Sequence, residues 1–211
     1  MPEITALTPQ KRNPDRVNLY LDGEFALGLS AEAATGLRVG QTLDESALAD
    51  LQDRENFISA RQSAFRYLSF RPRSIAEVRL NLLGKEYDEA LVEQVIDYLI
   101  AHDYLDDEEF AAYWVEQREA FKPRSRYALR QELFQKGLSR SVIAQALQDV
   151  DETDAAERAA RKRARRWIHL PFDEFQKKLG GYLQRRGFNY RIAKSTTEKI
   201  WNELTDEESL F

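Results

Sequence analysis

Cysteine does not occur in this 211-residue chain, which excludes disulfides, thiolate nucleophiles and cysteine-bound zinc or iron–sulfur sites. Histidine is nearly absent too. His102 and His169 are the only two, and neither lies in an HExxH pattern or a Ser-His-Asp order. Both read as surface or helix-end residues. No GxxxxGK(S/T) or GxGxxG loop is present, so phosphate cradling by a glycine-rich turn has no support. No cofactor and no metal are expected. Apolar runs are short, none near the roughly 20 residues that span a bilayer, so no membrane contact is expected. The first residues, MPEITALTPQKRNPDR, lack the apolar stretch of a secretory signal, and a cytoplasmic location is expected. Glycine and proline are scarce, at 9 and 6, so long helices with few interruptions should dominate.

Charge, by contrast, is plentiful and unevenly placed. Residues 154–201 carry 13 Lys/Arg against 5 Asp/Glu, a local balance of +8, inside a chain of net charge −5. After Trp201 come four acids and no base. Such segregation creates opposed surface potentials, which steer charged partners more than they shape the fold.

Pro72-Arg73-Ser74 returns 51 residues later as Pro123-Arg124-Ser125. With that shift, Val78, Leu82, Leu83, Tyr87, Leu91, Val92 and Ile96 fall on Leu129, Leu133, Phe134, Leu138, Val142, Ile143 and Leu147. The spacing is that of one helical face. Ser74 and Ser125 suit N-caps, Lys136-Gly137 a helix end, and Asp88 and Ser139 the caps of a following helix. A third copy lies 50 residues further on and sets Leu179, Leu183, Gly187 and Phe188 on Leu129, Leu133, Gly137 and Leu138. Each pair of helices follows another amphipathic stretch. The chain is therefore expected to be mainly α, with three tandem three-helix repeats forming an elongated, curved body. In the Pro-Arg-Ser junctions, Arg73 and Arg124 are expected to sit exposed.

The start of the chain differs. RVNLYLDGEFALGLS alternates as a strand, with Asp22-Gly23 suited to a type I′ turn, and predicts a small β-hairpin returning through Phe25, Leu27 and Leu29. SAEAATGLRVG predicts a short helix from Ser30 to Gly36. The expected division is an N-terminal module over 1–56, repeats over 57–105, 106–152 and 153–204, and an acidic tail over 205–211.

Two runs invite a chemical reading. Asp106-Asp107-Glu108-Glu109 is better read as an N-cap with first-turn acids favoured by the helix dipole than as a metal site. An enzyme of unknown type would have only that run in its favour. ERAARKRARRWIH is sharper: Ala156, Ala160, Ala164 and Trp167 form a stripe, and Arg158, Arg161, Lys162, Arg163, Arg165 and Arg166 crowd the rest of the helix. Charges this dense repel one another unless an anionic partner or nearby acids relieve them. Lys177, Lys178, Arg185, Arg186 and Arg191 extend the basic character, interleaved with Tyr182, Phe188 and Tyr190. Tyr182 and Tyr190 could stack on bases, whereas Phe188 aligns with a core leucine. Together with Arg73 and Arg124, these cations are the candidate contacts for a protein partner or DNA.

The blocks RQSAFRYLSFRPRSIAEVRLNLL, HDYLDDEEFAAYWVEQR, KPRSRYALRQELFQKGLSRSVIAQAL and LQRRGFNYRIAKSTTEKIW, in that order, resemble the RecX family, bacterial regulators of the RecA recombinase. The resemblance spans about residues 57–204. It departs at Asp103-Tyr104-Leu105-Asp106-Asp107, where the family commonly has a Gly-Tyr-Leu-Asn-Asp-like junction, and at Ile75, where the family often has Arg. It implies a non-enzymatic, monomeric regulator that binds the RecA–single-stranded-DNA filament and restrains recombination, ATP turnover and the SOS response. Contact with single- or double-stranded DNA would be weak. The alternative is a helical-repeat protein that binds nucleic acid directly.

Overall fold

The computed structural model describes residues 1–208. Among them the chain forms three strands and nine α-helices, and it divides into two compact units: residues 1–73 with 77–105, and residues 74–76 with 106 onward.

The first unit opens with an antiparallel sheet in the order β1-β2-β3, where β1 is Ile4–Gln10, β2 is Asn13–Leu21 and β3 is Glu24–Ser30. The predicted hairpin is β2–β3, and Asp22 and Gly23 both take positive φ, +50° and +88°, as a type I′ turn requires. β1 is an additional strand that the alternation did not announce. It lies at the edge of the sheet, where a proline such as Pro9 is tolerated, and its register shifts between Pro9 and Gln10. A register shift between Leu19 and Tyr20 pairs Tyr20 with Phe25. Phe25 therefore stays exposed, edge-on to the Tyr20 ring at 6.0 Å, while Leu19 and Leu29 are buried. The short helix expected from Ser30 to Gly36 is instead a series of turns. Ser30 is held by two bonds there, one local and one distant: its hydroxyl accepts the Ala33 amide (3.1 Å), and its own amide donates to Glu55 (2.6 Å).

Helix α1, Glu45–Leu68, starts at Asp44, whose carboxylate accepts the Ala47 amide at 2.8 Å. No glycine or proline interrupts it, so it runs unbroken through residues 56 and 57. Its buried residues Leu51 and Ile58 join Ile4, Leu19, Leu29, Ala33 and Leu43 in one cluster under the sheet. Buried among them, Glu55 pairs with Arg16 at 3.0 Å, which a buried carboxylate needs. Helices α2 (Ile75–Leu83) and α3 (Glu89–Ala101) complete the first repeat and bury Val78, Leu82, Val92, Val95, Ile96 and Leu99. Asp88 caps α3 through the Ala90 amide.

The second unit holds repeat two, α4 (Asp107–Phe121), α5 (Arg126–Gln135) and α6 (Arg140–Ala146). Repeat three follows as α7 (Glu152–Ala164), α8 (Phe172–Arg185) and α9 (Tyr190–Glu208). Leu129, Leu133 and Leu138 are buried in one core, and their counterparts Leu179, Leu183 and Phe188 in the other. Gly137 and Gly187 both end a helix in the left-handed region, at φ +84° and +93°. In the first repeat the same position is Glu86, which takes φ +64° without a glycine's freedom. Of the aligned apolar pairs, Leu83 and Phe134 face outward rather than inward. The acids assigned to a tail begin inside α9, which continues through Glu208; residues 209–211 lie outside the described residues.

The serines of the two Pro-Arg-Ser motifs are fully buried. Ser125 caps α5 through the Ala128 amide (3.1 Å), and its own amide donates to the carbonyl of Arg186 (3.2 Å). A Cβ on the adjacent Gly187 would lie 2.4 Å from the Ser125 hydroxyl and 2.8 Å from the Ala128 Cβ. Ser74 donates to the carbonyl of Lys136 (2.6 Å), and a Cβ on Gly137 would lie 2.3 Å from the Ala76 Cβ. Each Pro-Arg-Ser segment thus meets the helix end of the repeat that follows, Ser125 at Gly187 itself, and Ser74 and Ala76 at Lys136 and Gly137. Arg73 and Arg124, expected to be exposed, are half-buried. Arg73 lies over the Tyr67 ring at 4.0 Å and Arg124 pairs with Glu132 at 2.9 Å, which explains why neither extends into solvent.

Candidate functional site

Helix α7 begins at Asp151, whose carboxylate accepts the amides of Thr153 and Asp154. Its inward face consists of Ala155, Ala156, Ala159, Ala160 and Ala164. The predicted alanine stripe is therefore two residues wide, and side chains this small let neighbouring helices approach closely. Trp167 lies past the helix end, half-buried against the same core. Every cation of the segment is displaced to the remaining surface, and Arg161, Lys162 and Arg163 fall in the last turn, where the helix dipole favours positive charge.

These cations divide into two kinds. Arg158 is held against α4: it donates to the Glu119 carbonyl (2.7 Å) and pairs with Asp154 (2.7 Å) and, more distantly, with the Glu119 carboxylate (3.7 Å). Arg161 bridges Glu157 (2.9 Å) and Glu203 (3.3 Å), and Lys199 joins the same network at 2.5 Å from Glu157. Hydrogen bonds from Lys199 and then Arg161 hold the Glu157 carboxyl below its ordinary range, while Glu203 and Glu157 raise Arg161 further. Arg163 and Arg186 lie over the Tyr182 ring, at 5.4 and 4.8 Å, and Arg186 also donates to the Pro123 carbonyl (2.8 Å). Tyr182 is accordingly already engaged by two guanidinium groups. Phe188 is in the core, whereas Tyr190 is 69% exposed.

Lys162, Arg165, Arg166, Lys177, Lys178, Arg185 and Arg191 are exposed, and their side chains make no hydrogen bond or ion pair among the described residues. Lys177 lines a groove of about 280 Å³ between α8 and α9, together with Gly180, Tyr190 and Lys194. Gly180 and Gly181, unusual inside a helix, leave that groove open. Lys194 lies four residues after Tyr190, a spacing that sets both on the same helical face. Arg73 belongs to the other unit. The acidic run behaves as an N-terminus: Asp106 accepts the Glu108 and Glu109 amides, and Asp107 accepts that of Ile75. Among the described residues no group of histidine and acid side chains could hold a metal ion, and no helix is long and apolar enough to cross a membrane.

Four family models match the chain consecutively. Residues 2–44 match the "Regulatory protein RecX N-terminal domain", and residues 60–99, 106–147 and 149–196 match the first, second and third three-helix domains of RecX. The regulatory protein RecX of Clostridium tetani is 32% identical over 94% of this chain and 94% of its own. That of Bacillus pumilus is 30% identical over 100% of this chain and 83% of its own. A crystal structure of regulatory protein RecX superposes with a TM-score of 0.71 at 25% identity, covering 94% of this chain and 100% of the other. The fold is also that of RecX from Lactobacillus salivarius, at a TM-score of 0.61 and 22% identity over 70% of this chain and 97% of the other. With an N-terminal sheet, three three-helix domains and full-length relatives all pointing the same way, this chain belongs to the RecX family of regulatory proteins.

Proposed function

We propose that this chain is a non-enzymatic cytoplasmic regulator that binds the RecA–single-stranded-DNA filament as a monomer and inhibits its recombinase, ATPase and coprotease activities, thereby restraining recombination and the SOS response. In this reading, residues 1–56 are an accessory module, 57–105, 106–152 and 153–204 are the repeats that meet the filament, and 205–211 is an acidic tail. The observation that carries the proposal is the set of seven exposed cations of the third repeat with no hydrogen-bond or ion-pair partner among the described residues, on a chain whose full-length relatives are regulatory proteins. Cations already bound inside the protein release no counterions on docking; free ones do. Lys162, Arg165, Arg166, Lys177, Lys178, Arg185 and Arg191 are therefore the leading contacts. Arg124, Arg158, Arg161, Arg163 and Arg186 support them within the same unit, and Arg73 is a separate candidate contact on the other unit. Titrating the protein into RecA with single-stranded DNA should suppress ATP hydrolysis at substoichiometric ratios. Unchanged turnover at saturating protein would refute the proposal.

Direct nucleic-acid binding has its own support in Tyr190, an exposed ring lining a groove with Lys177 and Lys194. A base stacked on the ring would bring its phosphates near both ammonium groups. Gel shifts with single-stranded DNA over a salt series test it. Binding that weakens steeply with salt and with Tyr190→Ala supports this reading, and absent or salt-insensitive binding removes it.

A further inference from the structure

A groove of about 400 Å³ lies between α5 and α6 of the second repeat, lined by Arg130, Gln131, Phe134, Arg140, Ile143 and Ala144. The 50-residue shift carries these six residues onto Gly180, Gly181, Gln184, Tyr190, Ala193 and Lys194, all of which line the groove of the third repeat. The cleft is thus a property of the repeat, and its chemistry varies with the residues placed there.

The first repeat reveals what an arginine in this position binds. Shifting back by 51 sets Arg130 on Arg79 and Ala144 on Glu93. Arg79 and Glu93 form a two-bond pair, Nε to Oε1 at 2.6 Å and Nη2 to Oε2 at 2.9 Å, and this holds the Glu93 carboxyl below its ordinary range. In the second repeat alanine has removed the carboxylate. The Arg130 and Arg140 side chains are exposed and have no hydrogen-bond or ion-pair partner among the described residues. No acid lines the groove, and Phe134 beside them is 59% exposed.

We propose that the α5–α6 groove of the second repeat is a docking site for an acidic peptide segment bearing an apolar side chain. One carboxylate of the segment takes the place of Glu93 and bonds Arg130, a second reaches Arg140, and the apolar side chain rests on Phe134, Ile143 and Ala144. A protein segment fits better than a nucleic-acid backbone. The apolar floor needs an apolar group that a phosphodiester chain does not supply, and the internal counterpart is a carboxylate. The proposal does not depend on the identity of the partner proposed above, because it concerns different residues on a different repeat.

The test uses the full chain and a fluorescein-labelled octapeptide of glutamates around one phenylalanine, followed by fluorescence anisotropy. Saturable binding is expected. Ala144→Glu recreates the first repeat's ion pair and should fill the site, weakening binding about tenfold or more, as should Arg130→Ala. Replacing the peptide's phenylalanine by alanine should weaken it as well. Thermal unfolding of both variants should match that of the unmodified protein, since all the altered positions are exposed. No saturable binding, an A144E variant with full affinity, or equal binding of a lysine version of the peptide would overturn the proposal. So would an Ala144→Glu change that abolishes oligothymidine binding and spares the peptide.

Discussion

Position 132 of the second repeat and position 182 of the third occupy the same place in the 50-residue register, just outside the shared core. In the second repeat it is Glu132, which accepts the Trp114 indole N–H (2.8 Å) and pairs with Arg118 (2.7 Å) and Arg124 (2.9 Å). In the third it is Tyr182, whose ring holds Arg163 and Arg186. Both anchor two guanidinium groups, but a carboxylate cancels charge and a ring does not. The third repeat therefore orders its arginines while keeping both positive charges, and the second cancels one of its two at the equivalent spot. Repetition fixes the core and the joints, while the ring of positions around the core decides what each repeat presents to a partner.

The largest expected effect comes from breaking the joint that the two repeats share. Gly187→Ala forces a left-handed alanine and places its Cβ against Ser125 and Ala128, and should cost about 2–4 kcal/mol in urea unfolding. A variant of unchanged midpoint would show that the two repeats are not locked there. Next, Glu132→Ala leaves an indole N–H and two arginines without their acceptor and should cost about 1–3 kcal/mol. A smaller effect of opposite sign is expected from Gly180→Ala, since a Cβ there meets nothing within 4 Å in a helix interior. It should stabilise by about 0.4–1 kcal/mol, and a loss of stability would mean the glycine serves more than the groove.

Smallest is a pH effect. The lowered carboxyl of Glu157 favours the folded state when ionised. That contribution is present above the unfolded carboxylate range near pH ~4.3 and is lost as pH falls through the lowered value. Glu157→Gln should flatten the acid side of the stability curve, and an unaltered curve would show that solvent already screens the network.

The core was legible in the sequence because helical spacing and glycine placement are local signals: Leu129 and Leu179, Gly137 and Gly187 announced themselves in pairs. Capping by Asp88, Asp106, Ser125 and Ser139 was equally local. What escaped notice depends on partners far away in the chain. β1 carries no alternation and is made a strand by β2. Ser30–Gly36 had helix-forming alanines, but Ser30 is tied to Glu55, 25 residues on. The division of the arginines into bound and free was illegible for the same reason, since Arg161 meets Glu203 across 42 residues and Arg186 meets Pro123 across 63. A list of basic residues shows how much charge exists, and only the fold shows how much of it remains available.

That available charge is the centre of the functional account, and one measurement addresses it directly. Lys162, Arg165 and Arg166 are changed together to glutamine, with Arg161 left in place because it holds Glu157 and Glu203. Equilibrium binding to RecA–single-stranded-DNA filaments is then compared with the unmodified protein over a salt series. The account predicts weaker binding with a shallower salt dependence and an unchanged unfolding midpoint. Equal affinity and an equal salt slope would contradict it.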